Sequence, residues 1–371
     1  MAKNYYNVII AGGKGTRFWP LSRAERPKQL LKILSKKSLI EETAERVAPL
    51  GGPRRTLVVT IAGQLGALRK ELRRLPPQSF IAEPQGKNTA PCIGLAALEV
   101  VRRDADAVMV VLPADHWVAD AVSFRRTLKT AVALAQRDDR LITIGVRPDY
   151  PETGYGYIMK RDAIAASGRS RAFRVKRFTE KPALAAARRL IRRGSLWNSG
   201  IFVWKAATFL ALLDRYQPAI AAGLRRIGAA ADGKSLAAPK AKLRAVIARE
   251  YRKMPSVSVD YAVLEKAAAE DKVLTVEAGF AWSDVGSWTA VHRLMRKDSD
   301  GNAGNGRWLQ LGAKNCLIHA PGRLVAVLGL ANVFVIDTPD ALLVGDLKRS
   351  QEIRDLVDEL YRQGHGRYAI R

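Results

Sequence analysis

Four short stretches, residues 7–11 (NVIIA), 56–60 (TLVVT), 107–112 (AVMVVL) and 141–145 (LITIG), are apolar at almost every position. A strand with one wet face alternates polar and apolar residues. One that is apolar throughout must be covered on both faces, which happens in largely parallel sheets flanked by helices. Between these stretches, residues 38–47, 64–75, 89–103 and 123–136 carry apolar residues at helical spacing, and Pro76-Pro77 punctuates one exit. Strand-helix alternation predicts an α/β fold with a doubly wound, mixed but mostly parallel sheet. Ligands of such sheets sit beyond the carboxyl ends of the strands, so the residues directly after each strand are the place to look.

The later part of the chain has another pattern. Residues 296–307 (RKDSDGNAGNGR) are charged and rich in Gly, Asn and Asp, a loop or boundary pattern. Beyond them, 315–319, 324–328, 332–337 and 341–344 read as short strands separated by turn residues, followed by a terminal helix over 350–362. The expected division is therefore a large α/β domain over 1–295 and a small β-rich, β-helix-like appendage with its helix over 296–371. No internal repeat stands out, although a few short β-helix rungs leave little periodicity to find.

Composition limits what the chain does. Of 371 residues, 62 are Lys or Arg and 35 are Asp or Glu, a formal net charge of +27. With 48% hydrophobic residues the chain has enough apolar material for one or two cores, which excludes general disorder. No apolar run reaches the ~18 residues of a membrane-spanning helix, and the run at 8–11 is too short for a signal peptide, so a cytoplasmic protein without a membrane partner is expected. Cys92 and Cys316 give neither a disulfide framework nor a zinc site. The cations are spread widely. The densest stretch, 215–255, holds ten Lys/Arg against two Asp/Glu, and its 241–254 segment reads as a helix with cations on one face. Without a helix-turn-helix, zinc-finger or RNA-recognition pattern, this charge reads as solvated helix surface rather than a nucleic-acid interface.

The first strand runs into Gly12-Gly13-Lys14-Gly15-Thr16-Arg17-Phe18-Trp19-Pro20-Leu21-Ser22. Its glycines let backbone N–H groups approach an anion. Lys14, Thr16 and Arg17 add donors for phosphate oxygens, and a guanidinium binds two at once. Neither the Walker spacing nor GxGxxG is present, since Phe18 stands where the third glycine belongs.

This loop, followed by Pro27-Lys28, resembles the sugar-1-phosphate nucleotidyltransferases, and its form AGGKGTRFWPLSRAERPKQLL is similar to the mannose-1-phosphate guanylyltransferase branch. The resemblance continues in order through EPQGKNTAP (83–91), LPADH (112–116), TGYGYI (153–158), FTEKP (178–182), WNSGIF (197–202), SVDYAVLEK (258–266) and WSDVGSW (282–288). Phe18 replaces the commoner Leu, and Lys87 the commoner Arg, which keeps the charge but loses a planar fork.

The resemblance implies a Rossmann-like catalytic domain and attack of a sugar-1-phosphate oxygen on the α-phosphorus of GTP, which makes GDP-mannose from mannose 1-phosphate. The attacking group is already an anion, so positioning and charge neutralisation carry the reaction. By resemblance, Gly12, Gly13, Gly15 and Thr16 cradle the nucleotide phosphates, Arg17 steadies the leaving pyrophosphate, and Lys28 lies near the α-phosphate. Asp115 and Asp284 are implied to hold Mg²⁺, a cation suited to a few carboxylates plus phosphate oxygens. Lys181 is expected on the sugar phosphate and Glu180 on sugar hydroxyls, with Gly156 and Asn198 completing that pocket. Gly86, Asn88 and Thr89 are expected to read the base. Asp260 opens a Ser-x-Asp helix start and is explained nearly as well by capping, so it stays outside the expected site.

The longer family form adds a cupin-like isomerase domain. The short stretch after the boundary loop leaves no room for it, so one activity is expected. The resemblance leaves oligomeric state open and allows a homo-oligomer through the C-terminal region. The alternatives are a different NTP and sugar-1-phosphate pair, or a non-catalytic regulatory or nucleic-acid-binding homologue.

Overall fold

A computed structural model describes residues 5–13, 15–166 and 170–370. Lys14 lies outside the described residues. In chain order the strands are β1 (Tyr5–Ala11), β2 (Thr56–Ile61), β3 (Phe80–Glu83), β4 (Val108–Pro113), β5 (Trp117–Val118), β6 (Leu141–Val146), β7 (Tyr157–Ile164) and β8 (Ala172–Thr179). They continue with β9 (Leu196–Lys205), β10 (Val273–Glu277), β11 (Trp282–Ser283), β12 (Ala303–Leu311), β13 (Leu317–Leu328), β14 (Val333–Asp337) and β15 (Leu342–Asp346). The helices are α1 (Leu39–Gly51), α2 (Leu65–Glu71), α3 (Thr89–Arg103), α4 (Ala121–Arg137), α5 (Leu184–Arg192) and α6 (Ala206–Tyr216). After them come α7 (Pro218–Ala231), α8 (Ala241–Lys253), α9 (Glu265–Ala269), α10 (Trp288–Leu294), α11 (Ile353–Arg362) and α12 (Arg367–Ile370). No helix among the described residues is long and apolar enough to cross a membrane.

The chain forms two compact units, neither continuous in sequence. The first comprises residues 1–12, 43–114 and 118–282. Its nine-stranded sheet has the order β3-β2-β1-β4-β9-β6-β10-β8-β7. The apolar strands β1, β2 and β4 lie parallel, with Ile9 opposite both Val58 and Leu112. The strand β9 then runs antiparallel between β4 and β6, so the sheet is mixed. Both faces are covered, and Val8, Leu57, Met109, Trp204 and Phe209 are fully buried. Helix α4 starts where Asp120 accepts hydrogen bonds from the Val122 and Ser123 amides. Three of the buried carboxylates of this unit are each held by two guanidinium groups. Glu99 accepts from Arg102 and Arg103 at 2.8 Å, and Glu250 accepts from Arg226 and Arg249 at 2.6 Å. Glu277 accepts from Arg147 and Arg171.

The second unit comprises residues 13–42, 115–117 and 283–371. Its four-stranded sheet has the order β12-β13-β14-β15, parallel except for the last pair. Phe18, Trp19, Leu31, Trp288, Leu317, Ile336 and Val357 share one buried core, and the Phe18 and Trp288 rings meet edge-on at 4.9 Å. The residues near 370 are fastened to the segment after the glycine loop: Trp19 Nε1 donates to Tyr368 O at 2.8 Å and the Ala24 amide to Ala369 O at 3.1 Å.

Here the sequence expectation needs two corrections. The Gly/Asn-rich stretch read as a loop to residue 307 becomes strand β12 from Ala303 onward. Its composition answers to a close parallel approach: a Cβ on Gly306, whose φ is +86°, would stand 1.9 Å from Ala320 O. The stretches 315–319 and 324–328, expected as separate strands, are one strand, β13, which carries Pro321-Gly322 opposite the register shift between Gly306 and Trp308.

Candidate active site

The glycine loop leaves the end of β1, and its later part is anchored by Ser22 and Lys28. Gly15 adopts φ +62°, and a Cβ there would lie 2.4 Å from that of Lys28, so both the backbone conformation and the close approach demand glycine. Ser22 Oγ donates to Gly15 O at 2.7 Å, and the Phe18 amide donates to the same carbonyl at 3.0 Å, closing a single 3-10 turn over Thr16–Phe18. Phe18 and Trp19 are buried while Arg17 between Thr16 and Phe18 is exposed. The apolar anchors hold the turn, and the guanidinium is left to face outward.

Lys28 is buried, and its ammonium bridges two distant segments. Nζ donates to Asp115 Oδ2 at 2.6 Å and to Asp284 O at 2.7 Å. Asp115 closely follows β4, as the strand-end rule anticipates. Burial works against its charged form, but the Lys28 ammonium, with His116 behind it, outweighs that and holds the carboxyl below its ordinary range. Asp284 precedes Val285, a β-branched residue at φ +48° whose side chain is fully buried in the core of this unit. Such a conformation is strained for valine and is kept by its packing. It presents the Asp284 carbonyl to Lys28.

Gly15, Thr16, Arg17, Lys28, Asp115 and Asp284 all line one cavity of about 510 Å³. Among the described residues no group of three or more His, Cys, Asp or Glu side chains forms a cage for a metal. Two carboxylates on one cavity, with room for substrate oxygens, fit a hard divalent cation that shares its ligands with phosphates.

A second cluster lies in the first unit. Thr143 Oγ1 donates to Asn198 Oδ1 at 2.7 Å, and Asn198 Nδ2 donates to Asp260 Oδ1 at 2.9 Å. The Asn198 amide donates to Gly156 O at 2.8 Å. Burial, reinforced by the Asp260 carboxylate and opposed by Lys181, pushes the Glu180 carboxyl up to about 7. Burial also lifts Asp260 to about 6, against hydrogen bonds including that from Asn198. Lys181, at φ +45°, has its ammonium 3.6 Å from Glu180 Oε1. Two carboxyls poised near neutrality beside an amide and an ammonium can both donate to and accept from hydroxyl groups. Asp260, which the sequence explained as a cap, therefore joins Asn198 and Glu180. A π-helical turn over Asp260–Leu264 is the structural mark of that position.

Of the remaining expected residues, Gly12 and Gly86 are exposed. Asn88 caps α3 by accepting from the Thr89 amide at 2.9 Å, and Thr89 Oγ1 accepts from the Val259 amide at 2.8 Å. Sequence reasoning passed over Glu83 at the end of β3, a buried carboxyl that accepts from Tyr251 OH and sits beside Gly12. Its strand-end position was the available signal. The structure thus assembles Gly13, Gly15, Thr16, Arg17, Lys28, Asp115 and Asp284 in one unit. Gly12, Gly86, Asn88, Thr89, Gly156, Glu180, Lys181 and Asn198 belong to the other.

A mixed sheet with a glycine loop after its first strand and a lysine-carboxylate cavity defines a phosphate-handling α/β protein, and comparison with known proteins agrees. Residues 6–301 match the nucleotidyl transferase family, and residues 306–360 match the mannose-phosphate isomerase/GMP-like β-helix domain. The chain belongs to the nucleotidyl transferase family and, within it, to the mannose-1-phosphate guanylyltransferase group. It is 34% identical over 372 residues to the mannose-1-phosphate guanylyltransferase of Escherichia coli, covering 98% of this chain and 75% of that protein. The xanthan biosynthesis protein XanB of Xanthomonas campestris is 38% identical over 360 residues, covering 96% and 73%. A crystal structure from Thermus thermophilus, described as a mannose-1-phosphate geranyltransferase, superposes with a TM-score of 0.85 at 34% identity, covering 96% of this chain and 99% of that one.

Proposed function

We propose that the chain transfers GMP from GTP to α-D-mannose 1-phosphate, giving GDP-mannose and pyrophosphate. The observation that carries this reading is Lys28, buried between the Asp115 carboxylate and the Asp284 carbonyl on a cavity that also receives the glycine loop. A sugar-phosphate oxygen forms the new bond to the α-phosphorus. The bond from that phosphorus to the β-phosphate bridging oxygen breaks, and its electron pair leaves with pyrophosphate. Gly13, Gly15 and Thr16 present the loop to the nucleotide phosphates, Arg17 takes up charge on the departing pyrophosphate, and Lys28 neutralises charge at the α-phosphate. Asp115 and Asp284 are the residues that would hold Mg²⁺, which when bound supplies charge neutralisation at the phosphates. Lys181 meets the sugar phosphate, Glu180, Asn198 and Gly156 the hydroxyl face, and Gly86, Asn88 and Thr89 the base.

The action belongs in the cytoplasm, where GTP and sugar phosphates are supplied. A second copy of this chain is the expected protein partner. Leu311 and Leu328, opposite one another in β12 and β13, are 70% and 72% exposed, and Leu309, Leu324 and Val344 of the same unit are also exposed. The functional reading is tested by pyrophosphate release across a matrix of NTPs and sugar 1-phosphates. GTP with mannose 1-phosphate should be the best pair, and a clear preference for another pair overturns the substrate assignment.

A further inference from the structure

The cavity that receives the glycine loop has a wall from the other end of the chain. Besides Gly15, Arg17, Lys28, Asp115 and Asp284, it is lined by Arg354 on the first turn of α11. Val357 of the same helix is buried in the core that also holds Phe18 and Trp19, so α11 is seated directly against the turn that carries Arg17. The hydrogen bonds from Trp19 to Tyr368 and from Ala24 to Ala369 fasten the adjoining segment at two more points. Position on a packed helix, rather than on a free tail, fixes where the Arg354 side chain starts.

Three arginines line this cavity: Arg17, Arg23 and Arg354. Arg23 is committed, since its guanidinium pairs with Asp340 at 3.0 Å and donates to Pro20 O. Lys28 is likewise engaged by Asp115. Arg17 and Arg354 are exposed and make no ion pair with any described residue. An unpaired guanidinium on a cavity built for phosphates has an obvious counterion, and its planar fork matches two phosphate oxygens at once.

Resting on the nucleotidyltransferase function, we propose that Arg354 is a nucleotide-binding residue of this site. Its guanidinium binds the β- and γ-phosphates of the NTP opposite Arg17 and keeps hold of the pyrophosphate formed from them. The C-terminal helix thereby completes the triphosphate cradle.

The test compares Arg354→Ala, Arg354→Lys and Arg362→Ala with the unmodified full chain, reading kcat and both KM values forward and the KM for pyrophosphate in reverse. Arg362 sits on the same helix, outside the cavity lining, in an exposed pair with Glu359. Arg354→Ala should raise KM for GTP and for pyrophosphate about tenfold, the loss of one charge-assisted contact, while KM for mannose 1-phosphate moves less than about twofold. Arg354→Lys should recover part of that loss, and Arg362→Ala should match the unmodified chain. Equal changes in both substrates' KM, or no change in the pyrophosphate KM, overturn the proposal, as does an Arg362→Ala effect equal to that of Arg354→Ala. If the unmodified chain prefers another NTP, the same split read with that nucleotide still decides the role of Arg354, so the two failures are distinguishable.

Discussion

Lys28 Nζ lies 2.6 Å from Asp115 Oδ2, and the same ammonium reaches the Asp284 carbonyl at 2.7 Å. One buried cation therefore ties together the segment after the glycine loop, the residues after β4 and the strained turn at Val285. Lys28→Met keeps most of the side chain's length and removes the charge. It should lower kcat at least about 100-fold and cost about 1–3 kcal/mol of stability, because Asp115 loses its partner. Steady-state kinetics and a melting curve check both, and wild-type turnover would place Lys28 in a purely structural role.

Asp284→Asn should cut turnover strongly and raise the Mg²⁺ concentration needed for half-maximal rate, with the fold intact, since only the carboxylate changes. A metal titration of the rate beside a thermal melt separates the two effects. Unchanged metal dependence would remove Asp284 from the cation site.

The Lys181 side chain is largely exposed and pairs with its neighbour Glu180, so Lys181→Ala should leave stability within about 0.5 kcal/mol. Its effect should fall on KM for mannose 1-phosphate, roughly tenfold, and much less on KM for GTP. Equal changes in both would sink the sugar-phosphate assignment.

The Glu180 carboxyl, ordinarily near 4.5, is pushed up to about 7 by burial and by Asp260. Between those values the folded chain holds a proton that the unfolded chain has released. The contribution of Glu180 to stability is therefore greatest at low pH and falls as pH rises through about 7. Denaturant midpoints measured at about pH 5 and about pH 8 should show a smaller drop in Glu180→Gln than in the unmodified chain. Equal drops would assign the pH dependence to other groups, Asp260 first among them.

If the exposed leucines of β12 and β13 seat a second copy, Leu328→Asp should shift the sedimentation coefficient to that of a smaller species while leaving the melting of each chain cooperative. An unchanged coefficient would rule this face out.

The sheet was legible because continuous apolar runs such as 107–112 have few other homes than a covered strand, and α3 falls on the residues its periodicity predicts, Thr89–Arg103. Strand β12 was hidden, since Gly304 and Gly306 carry turn chemistry in composition and close-packing chemistry in space. Lys28 and Asp115 were recognisable by position and motif. That Lys28 is buried rather than one more surface lysine depends on Asp115 and Asp284, far away in sequence. Asp260 was obscured by an adequate local explanation, capping, which gives no sign of Asn198 across the fold.

The hydrogen bond from Trp19 to Tyr368 joins residues almost a full chain length apart. Synthesis delivers Trp19 349 residues before the carbonyl that accepts from it. Until then the core that buries Phe18 and Trp19 has Leu31 and Ile33 but lacks Trp288, Leu317 and Val357. Removing residues 368–369 therefore takes away the acceptors of both Trp19 and the Ala24 amide, in the segment that follows the glycine loop.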